Sequence, residues 1–377
     1  MRVGIAAGLL IAAAALRAQQ GQPVPEKPPA AIAQLAAKAA AAREADNLPE
    51  ALKLYRQAVT LAPKWAEGWW YLGTMQYDKD QYAGCRDAFR QFVAINANIV
   101  PAFSLLGLCE FQTKEFPKAL AHLEKAIAMG LPEGEDLTRV TMYHAALLHT
   151  KAQNFERALR LCAMVTRFAP NDAGIIAVMG IAQLRRPAFP QEIAAEDREM
   201  VMMLGRAFAY QSERRVAEAI AAYEEVVSKY PNVSSIHYAF GTVLLTTSPE
   251  RGAEMLIAEL KVTPNHIPAL VSLAAYYLKR GMAPDGLPYA ERAAKAGPKD
   301  FAARATYGRL LVETENVARG ILELEAARAL APDSPEVRFS LGSAYGKAGR
   351  TAEANREKAE FARLKKLFNP SGGQETH

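Results

Sequence analysis

The histidines are among the residues best able to do chemistry, and their spacing does not suit a metal site. His144 and His149 are the two histidines nearest to each other in the sequence. On a helix, five residues place two side chains about 140° apart around the axis, whereas two histidines that share a metal ion stand four residues apart. We therefore expect both side chains to pack or to face solvent, and we predict no metal ligands.

The common catalytic and cofactor signatures are missing from the sequence. It has no glycine-rich phosphate loop, no Gly-x-Ser-x-Gly, no His-Glu-x-x-His and no Cys-x-x-Cys. The acidic segment 130–136 contains glycine but lacks the alternating ligand spacing of a calcium loop, so we expect a solvated loop there. These observations predict a protein that is not an enzyme and that has no cofactor.

The elements that position these residues follow a regular interval. Pro231, Pro264, Pro298 and Pro332 lie 33, 34 and 34 residues apart, each just after an Ala/Leu/Val-rich helical pattern. A proline at that place ends one helical unit and begins the next. The same 34-residue interval separates two pairs of glycines, Gly73 from Gly107 and Gly308 from Gly342.

One such unit, residues 335–368, has the layout of two antiparallel helices joined by a turn. Gly342 and Ala354 have small side chains that let the two helices approach closely, and Tyr345 fills the space beside them. Gly349 stands where the first helix should stop, and we expect it to adopt the positive φ of the turn. A unit of this size cannot bury its own apolar surface, so it must stack on copies of itself.

This pattern resembles the tetratricopeptide repeat (TPR), a helix-turn-helix unit of about 34 residues. The resemblance implies an all-α fold, a right-handed superhelical solenoid of stacked helix-turn-helix repeats. It also implies that the first helix of each unit lines a concave surface that binds a protein or a peptide. Repeat units occupy nearly all of the chain, so little length remains for a folded catalytic domain.

The chain ends and one internal break divide the sequence into segments. Met1-Arg2, an apolar stretch of about 14 residues and small residues near Ala18 predict a secretory signal peptide. The stretch is shorter than the roughly 20 residues that span a bilayer, and an uncleaved anchor is the alternative. The predicted organisation is a signal peptide 1–18, a disordered Pro/Gln-rich linker 19–31, an N-terminal repeat block 32–186, a C-terminal repeat block 190–368 and a disordered tail 369–377.

The break between the two blocks contains two prolines in the segment 185–190. They prevent the expected partner helix from following in phase, which predicts an orphan helix before the break. We expect a longer helix to resume near Gln191, to run to about Tyr210 and to serve as the first helix of the next unit.

The cysteines number three, an odd count. Cys85 and Cys162 fall at second-helix positions where small or apolar side chains pack, and Cys109 falls within a first helix. Buried thiols are the simplest expectation. A bridge between Cys85 and Cys109 in neighbouring units stays an open alternative, because the sequence does not show their geometry.

The charge of the chain gives little support for nucleic-acid binding. The formal net charge is +5, and it becomes +3 without Arg2 and Arg17 of the predicted signal peptide. Spread over this length, such a charge is too weak to indicate a nucleic-acid partner.

The TPR resemblance also implies which residues face the concave surface, namely positions two, five, nine and twelve of each unit. TPR proteins that grip a terminal carboxylate place Lys, Arg and Asn at positions five and nine. Here the front units have aromatic, hydroxyl or apolar side chains there, so we expect an apolar or amphipathic partner segment instead. The alternative is that several of these side chains pack within the array. The predicted groove residues are Trp70, Thr74, Tyr77, Ser104, Phe111, Tyr143, Leu147, Phe208 and Tyr238.

The function expected from these features is a non-catalytic, protein-binding scaffold that is periplasmic or secreted and has no membrane span after signal cleavage. An accessory subunit of an envelope machine, for polysaccharide export or outer-membrane assembly, is the alternative. An enzyme is the third hypothesis.

Overall fold

The computed structural model describes residues 28–132 and 136–368. Within these ranges the chain forms nineteen α-helices and no β-strand, which confirms the predicted all-α fold. Its contacts divide it into two compact units, of which the first ends at Gly205 and the second begins at Arg206. The predicted signal peptide, most of the predicted linker and the predicted tail lie outside the described residues.

The first unit consists of helices that follow one another in antiparallel pairs, with a 3-10 turn at Ala30–Ile32 ahead of them. Its helices are α1 (Ala33–Glu44), α2 (Leu48–Leu61), α3 (Ala66–Asp78), α4 (Tyr82–Ile95), α5 (Val100–Gln112), α6 (Phe116–Ala128), α7 (Asp136–Lys151), α8 (Phe155–Thr166), α9 (Ala173–Gln183) and the start of α10 (Arg198–Ser212).

The second unit continues the same pattern of paired helices. It contains the remainder of α10 and then α11 (Val216–Lys229), α12 (Ile236–Thr247), α13 (Pro249–Val262), α14 (Ile267–Lys279), α15 (Ala283–Ala296), α16 (Phe301–Glu313), α17 (Val317–Leu330), α18 (Pro335–Lys347) and α19 (Thr351–Phe368).

Most pairs are joined by the same tight turn. The residue in the turn adopts a left-handed conformation, and the next N–H donates to the carbonyl five residues earlier, which is the hydrogen bond of a Schellman cap. Gly349, at φ 73°, confirms the turn expected there, and the Arg350 N–H donates to the Tyr345 carbonyl at 2.9 Å. Asp80 and Lys114 occupy the equivalent position in two front turns, at φ 57° and 63°. The short hydrogen-bonded turn therefore forms there without glycine.

The break between the predicted blocks differs from the expectation. No helix begins near Gln191, because two 3-10 turns, Pro190–Glu192 and Ala195–Asp197, occupy this stretch, and α10 begins only at Arg198 and ends at Ser212. Pro190 stands at the first position of its turn, and its ring favours that short start over a continuing α-helix.

Helix α9 is not an orphan, which corrects the second expectation about the break. A Cβ placed on Gly180 would lie 1.9 Å from the Val201 carbonyl oxygen, and one on Gly205 would lie 1.9 Å from the Ile176 carbonyl oxygen. This reciprocal approach shows that α9 and the first turns of α10 run antiparallel with their backbones in contact. A connection of fourteen residues, 184–197, therefore joins an antiparallel helix pair.

The cysteines follow the alternative that the sequence left open. Cys85 in α4 and Cys109 in α5 form a disulfide with a Cα–Cα distance of 6.1 Å. The bridge joins the second helix of one pair to the first helix of the next. Cys162 is a buried free thiol, as expected from its position in α8.

Candidate functional site

The candidate site in the first unit is the row of predicted groove residues on α3, α5 and α7, which we call the first-helix face. Five of its seven side chains are partly exposed, and the other two, Ser104 and Leu147, are buried. The first-helix face consists of Trp70, Thr74, Tyr77, Ser104, Phe111, Tyr143 and Leu147.

Trp70 packs against α4, the second helix of its own pair. Its ring lies 5.6 Å from the ring of Phe89, edge to face, and 5.2 Å from the ring of Phe92. The other part of the indole stays accessible. Because aromatic neighbours fix its orientation, Trp70 presents a rigid apolar surface with little conformational freedom left to lose on binding.

Tyr77 stands at the end of α3 with its ring 5.9 Å from that of Tyr82. Burial, together with the nearby charges of Asp78 and Asp80, raises the pKa of Tyr77 to about 12. Burial also raises the pKa of Asp78 to about 6, and Lys79 opposes this shift. At neutral pH the Tyr77 hydroxyl therefore keeps its proton and can donate a hydrogen bond.

Tyr143 lies beside the start of α9. Asp172 caps that helix by accepting the N–H groups of Gly174 and Ile175, at 2.9 and 3.1 Å. A Cβ on Gly174 would lie 3.2 Å from the Tyr143 hydroxyl oxygen. Burial and the negative charge of Asp172 raise the pKa of Tyr143. Tyr143 therefore presents a neutral phenol, part of which packs within the array.

Phe111 is covered by a side chain from the break. Its ring lies 5.9 Å from the ring of Phe189 and 4.7 Å from that of His144. Burial lowers the pKa of His144, and its Nδ1–H donates to the Val140 carbonyl at 2.8 Å. Phe189 is not among the groove residues predicted from the sequence. Its position between two prolines in an interrupted helical pattern was the available signal.

The remaining two predicted groove residues lie in the second unit. Phe208 on α10 and Tyr238 on α12 are both partly exposed. The Tyr238 ring lies 4.9 Å from the imidazole of His266.

Ser235 and His266, near Tyr238, are of the residue types that form a nucleophile and its base. The hydrogen bond between them runs in the wrong direction for catalysis. His266 Nε2 lies 3.1 Å from Ser235 Oγ, while the Ala269 N–H donates to His266 Nδ1 at 3.1 Å. With Nδ1 accepting, the proton of the neutral imidazole is on Nε2, which donates to the serine. The imidazole therefore has no lone pair directed at Ser235 and cannot act as its base.

Two glutamates in the first unit hold neighbouring helices together. Glu110 accepts hydrogen bonds from Arg90 at 2.8 Å and from His122 at 2.6 Å, and its side chain is fully buried. Glu124 accepts a two-pronged contact from Arg157, at 2.9 and 2.7 Å, and one from His149 at 2.5 Å. These contacts assign both groups a structural role.

The part of the chain that the structure describes has no group of three or more His, Cys, Asp or Glu side chains that could hold a metal ion. None of the helices found in residues 28–132 and 136–368 combines the length and apolar character needed to cross a membrane.

Solved structures of helical-repeat proteins resemble parts of this chain. "MamA 41-end from Desulfovibrio magneticus RS-1" is 20% identical at a TM-score of 0.39, over 46% of this chain and 98% of that one. "MamA RS-1 ArsTM double mutant" is 20% identical at a TM-score of 0.41, over the same shares. "YrrB: a TPR protein with an unusual peptide-binding site" is 16% identical at a TM-score of 0.38, over 47% of this chain and 91% of that one.

Family profiles match the chain directly. One profile of the tetratricopeptide repeat matches residues 202–232, which include most of α10 and all of α11. A second matches residues 271–335 and 306–359, which together extend from α14 into α19. The matched stretches are helix pairs that the 34-residue interval predicted, and the chain therefore contains tetratricopeptide repeats in these stretches, within an all-α fold of paired helices.

Proposed function

We propose that the protein is a non-catalytic scaffold that binds an apolar or amphipathic segment of a protein partner on the first-helix face. TPR proteins are a class of interaction scaffolds, and the finer assignment rests on one observation. Trp70, Tyr77, Phe111 and Tyr143 are all partly exposed on the first helices of successive pairs, although other positions of these helices are buried. Aromatic side chains held in place by packing are the usual anchors of a binding surface.

The side chains between the anchors favour an apolar partner segment over a carboxylate terminus. Thr74 is partly exposed, and its hydroxyl donates to the Tyr71 carbonyl at 3.2 Å. No Lys, Arg or Asn stands at positions five and nine of these units to receive a carboxylate. Contact area on aromatic rings, rather than ion pairing, would supply the affinity.

We further propose that the protein is exported to the periplasm or secreted. The signal-like sequence before residue 19 and the Cys85–Cys109 disulfide support this, because such bridges persist mainly in oxidising compartments. Fractionation of cells that express the full chain tests the proposal. Recovery of the protein only with cytoplasmic markers would contradict it.

The binding proposal is tested by capture of partners from bacterial envelope fractions with the native chain and with Trp70→Ala/Tyr143→Ala. We expect the double variant to lose the captured partner while its helical circular dichroism is unchanged. Phe168→Ala is the matched control, because Phe168 is about half exposed just after α8 and is not on the first-helix face. Equal capture by all three chains would refute the role of the first-helix face.

The same experiment separates the two forms of the proposal. A partner that binds and dissociates as a free segment favours the scaffold. A stable complex of fixed stoichiometry favours the alternative, an accessory subunit of an envelope machine for polysaccharide export or outer-membrane assembly.

A further inference from the structure

The connection 184–197, which we call the break segment, is longer than the helix pair around it requires. It has fourteen residues, whereas residues 314–316 suffice to join α16 to α17. The contact of α9 with the start of α10 is made by the helices themselves, through the close approach at Gly180 and Gly205. The break segment is therefore free to make contacts elsewhere in the first unit.

The break segment inserts Phe189 among aromatic side chains of α5 and α6. The Phe189 ring lies 5.9 Å from the ring of Phe111 and 5.5 Å from that of Phe116, both roughly edge to face. These two rings lie 5.6 Å from each other, and His144 contacts Phe111 from another side. Phe189 is 6% exposed, so an aromatic side chain from a non-helical segment fills this site.

Polar contacts hold the same segment beside the site. Lys151, at the end of α7, donates to Glu192 at 2.8 Å, and its ammonium lies 5.2 Å from the centre of the Phe189 ring. Glu192 also accepts the Phe189 N–H at 2.8 Å, which fixes the acidic group relative to the ring. One lysine thus contacts both the aromatic and the acidic residue of the segment.

We propose that the break segment is an intramolecular ligand of the site formed by Phe111, Phe116, His144 and Lys151, and that a partner segment of the same chemistry displaces it. That chemistry is an aromatic residue between two prolines with a carboxylate three positions later. The inference rests on the proposed function, because Phe111 belongs to the first-helix face. It adds the chemical class of the partner segment and a competitor within the chain.

Tethering determines how strongly the competitor acts. A short connection holds its ligand at a local concentration in the millimolar range, so a free segment of equal intrinsic affinity binds the native chain only weakly. The apparent affinity falls with the fraction of molecules whose site is open. Emptying the site should therefore strengthen binding of a free segment about tenfold or more.

The test uses a fluorescent synthetic peptide of residues 185–197 and the full chain carrying Phe189→Ala/Glu192→Gln. By fluorescence anisotropy, we expect the peptide to bind this opened chain at least about tenfold more tightly than the native chain. The same peptide with Phe189→Ala is the control and should not bind. If the opened chain remains folded by circular dichroism and does not bind the native peptide, the break segment is a fixed part of the core and the proposal is wrong.

A charge exchange keeps the proposal testable if the opened chain does not fold. Lys151→Glu leaves Phe189 in place and reverses the charge that faces residue 192. The Lys151→Glu chain should prefer a peptide with Glu192→Lys over the native peptide, and the native chain should show the reverse preference. Identical preferences in both chains would overturn the proposal. Failure here with continued loss of partner capture in Trp70→Ala/Tyr143→Ala would leave the proposed function standing.

Discussion

Two helix pairs in this molecule both pack closely but have very different connections. In the second unit, α16 and α17 are joined by three residues, and a Cβ on Gly308 would lie 2.9 Å from the Gly320 carbonyl oxygen. In the first unit, α9 and the start of α10 are joined by fourteen residues, yet a Cβ on Gly180 would lie only 1.9 Å from a backbone oxygen. Close packing of two helices therefore depends on small side chains at the crossing rather than on a short turn.

The long connection also has residues that can contact other helices. The residues of the short turn between α16 and α17 are engaged in the turn's own backbone hydrogen bonds. One example is the bond from the Asn316 N–H to the Leu311 carbonyl at 2.8 Å. The long connection has residues to spare, and it uses Phe189 and Glu192 to contact side chains of α5, α6 and α7. An interrupted repeat can thus keep its packing while gaining a segment with another role.

The largest expected effect comes from adding a methyl group at the closer of the two crossings. Gly180→Ala should lower the free energy of unfolding by about 3 kcal/mol or more, because the new Cβ meets backbone that cannot rotate away. Gly308→Ala should cost less, about 1 to 2 kcal/mol, because the nearest backbone oxygen, that of Gly320, would lie 2.9 Å from the new Cβ rather than 1.9 Å, and the Leu324 side chain at 2.8 Å is flexible. Urea denaturation followed by circular dichroism measures both values.

Gly346→Ala is the control for these glycine variants. A Cβ there would meet nothing within 4 Å, and the residue lies in α18. Removal of backbone freedom should therefore stabilise the protein by about 0.5 kcal/mol. If Gly180→Ala and Gly308→Ala lowered the free energy of unfolding equally, the long connection would have let α9 and α10 move apart. The two helix crossings would then not differ in tightness.

The disulfide makes a second difference between the units. Cys85 and Cys109 are 24 residues apart, and closing a loop of that size should stabilise the first unit by about 3 kcal/mol. Cys85→Ala/Cys109→Ala should lower the urea midpoint of the first unit and leave that of the second unit unchanged. Cys162→Ala, which removes a free thiol, is the control. An unchanged midpoint in the double variant would show that the bridge does not stabilise the unit.

The smallest predicted effect is the loss of stability at low pH through Glu124. Burial opposes ionisation of Glu124, but hydrogen bonds from His149 and Arg157 outweigh it and lower the pKa of the carboxyl to about 2. Since the folded pKa lies below the ordinary value of about 4.5, this stabilisation is complete above about pH 4.5 and is lost as the pH falls towards 2. After discounting for solvent screening, its size is about 1 to 2 kcal/mol.

Glu124→Gln tests this contribution through the pH dependence of stability. The variant should be less stable than the native chain at pH 7, and the difference should shrink between pH 4.5 and 2. A difference between Glu124→Gln and the native chain that is independent of pH would contradict the assignment.

Most of the fold could be predicted because it depends on local pattern. The 34-residue interval and the turn at Gly349 follow from side-chain periodicity and backbone preference, which act over a few residues. The break was predicted less well. The prolines correctly indicated an interruption, but the start of α10 at Arg198 and its contact with α9 depend on packing between segments that are distant along the chain.

The candidate site was likewise predicted only in part. The positions implied by the TPR resemblance placed Trp70 and Tyr143 on the first-helix face, and both are partly exposed. The same implied positions also selected Ser104 and Leu147, which are buried. Exposure depends on what the next pair covers, and the sequence of a single unit does not contain that information.

The sequence by itself determined the paired helices, their repeat interval and the class of protein, since these properties arise from interactions within about 34 residues. Tertiary structure decided that Cys85 bonds to Cys109, that α9 has a partner, and that Phe189 covers Phe111. Each of these outcomes requires two segments to meet in space, and the free energy of such a meeting depends on how the intervening helices pack.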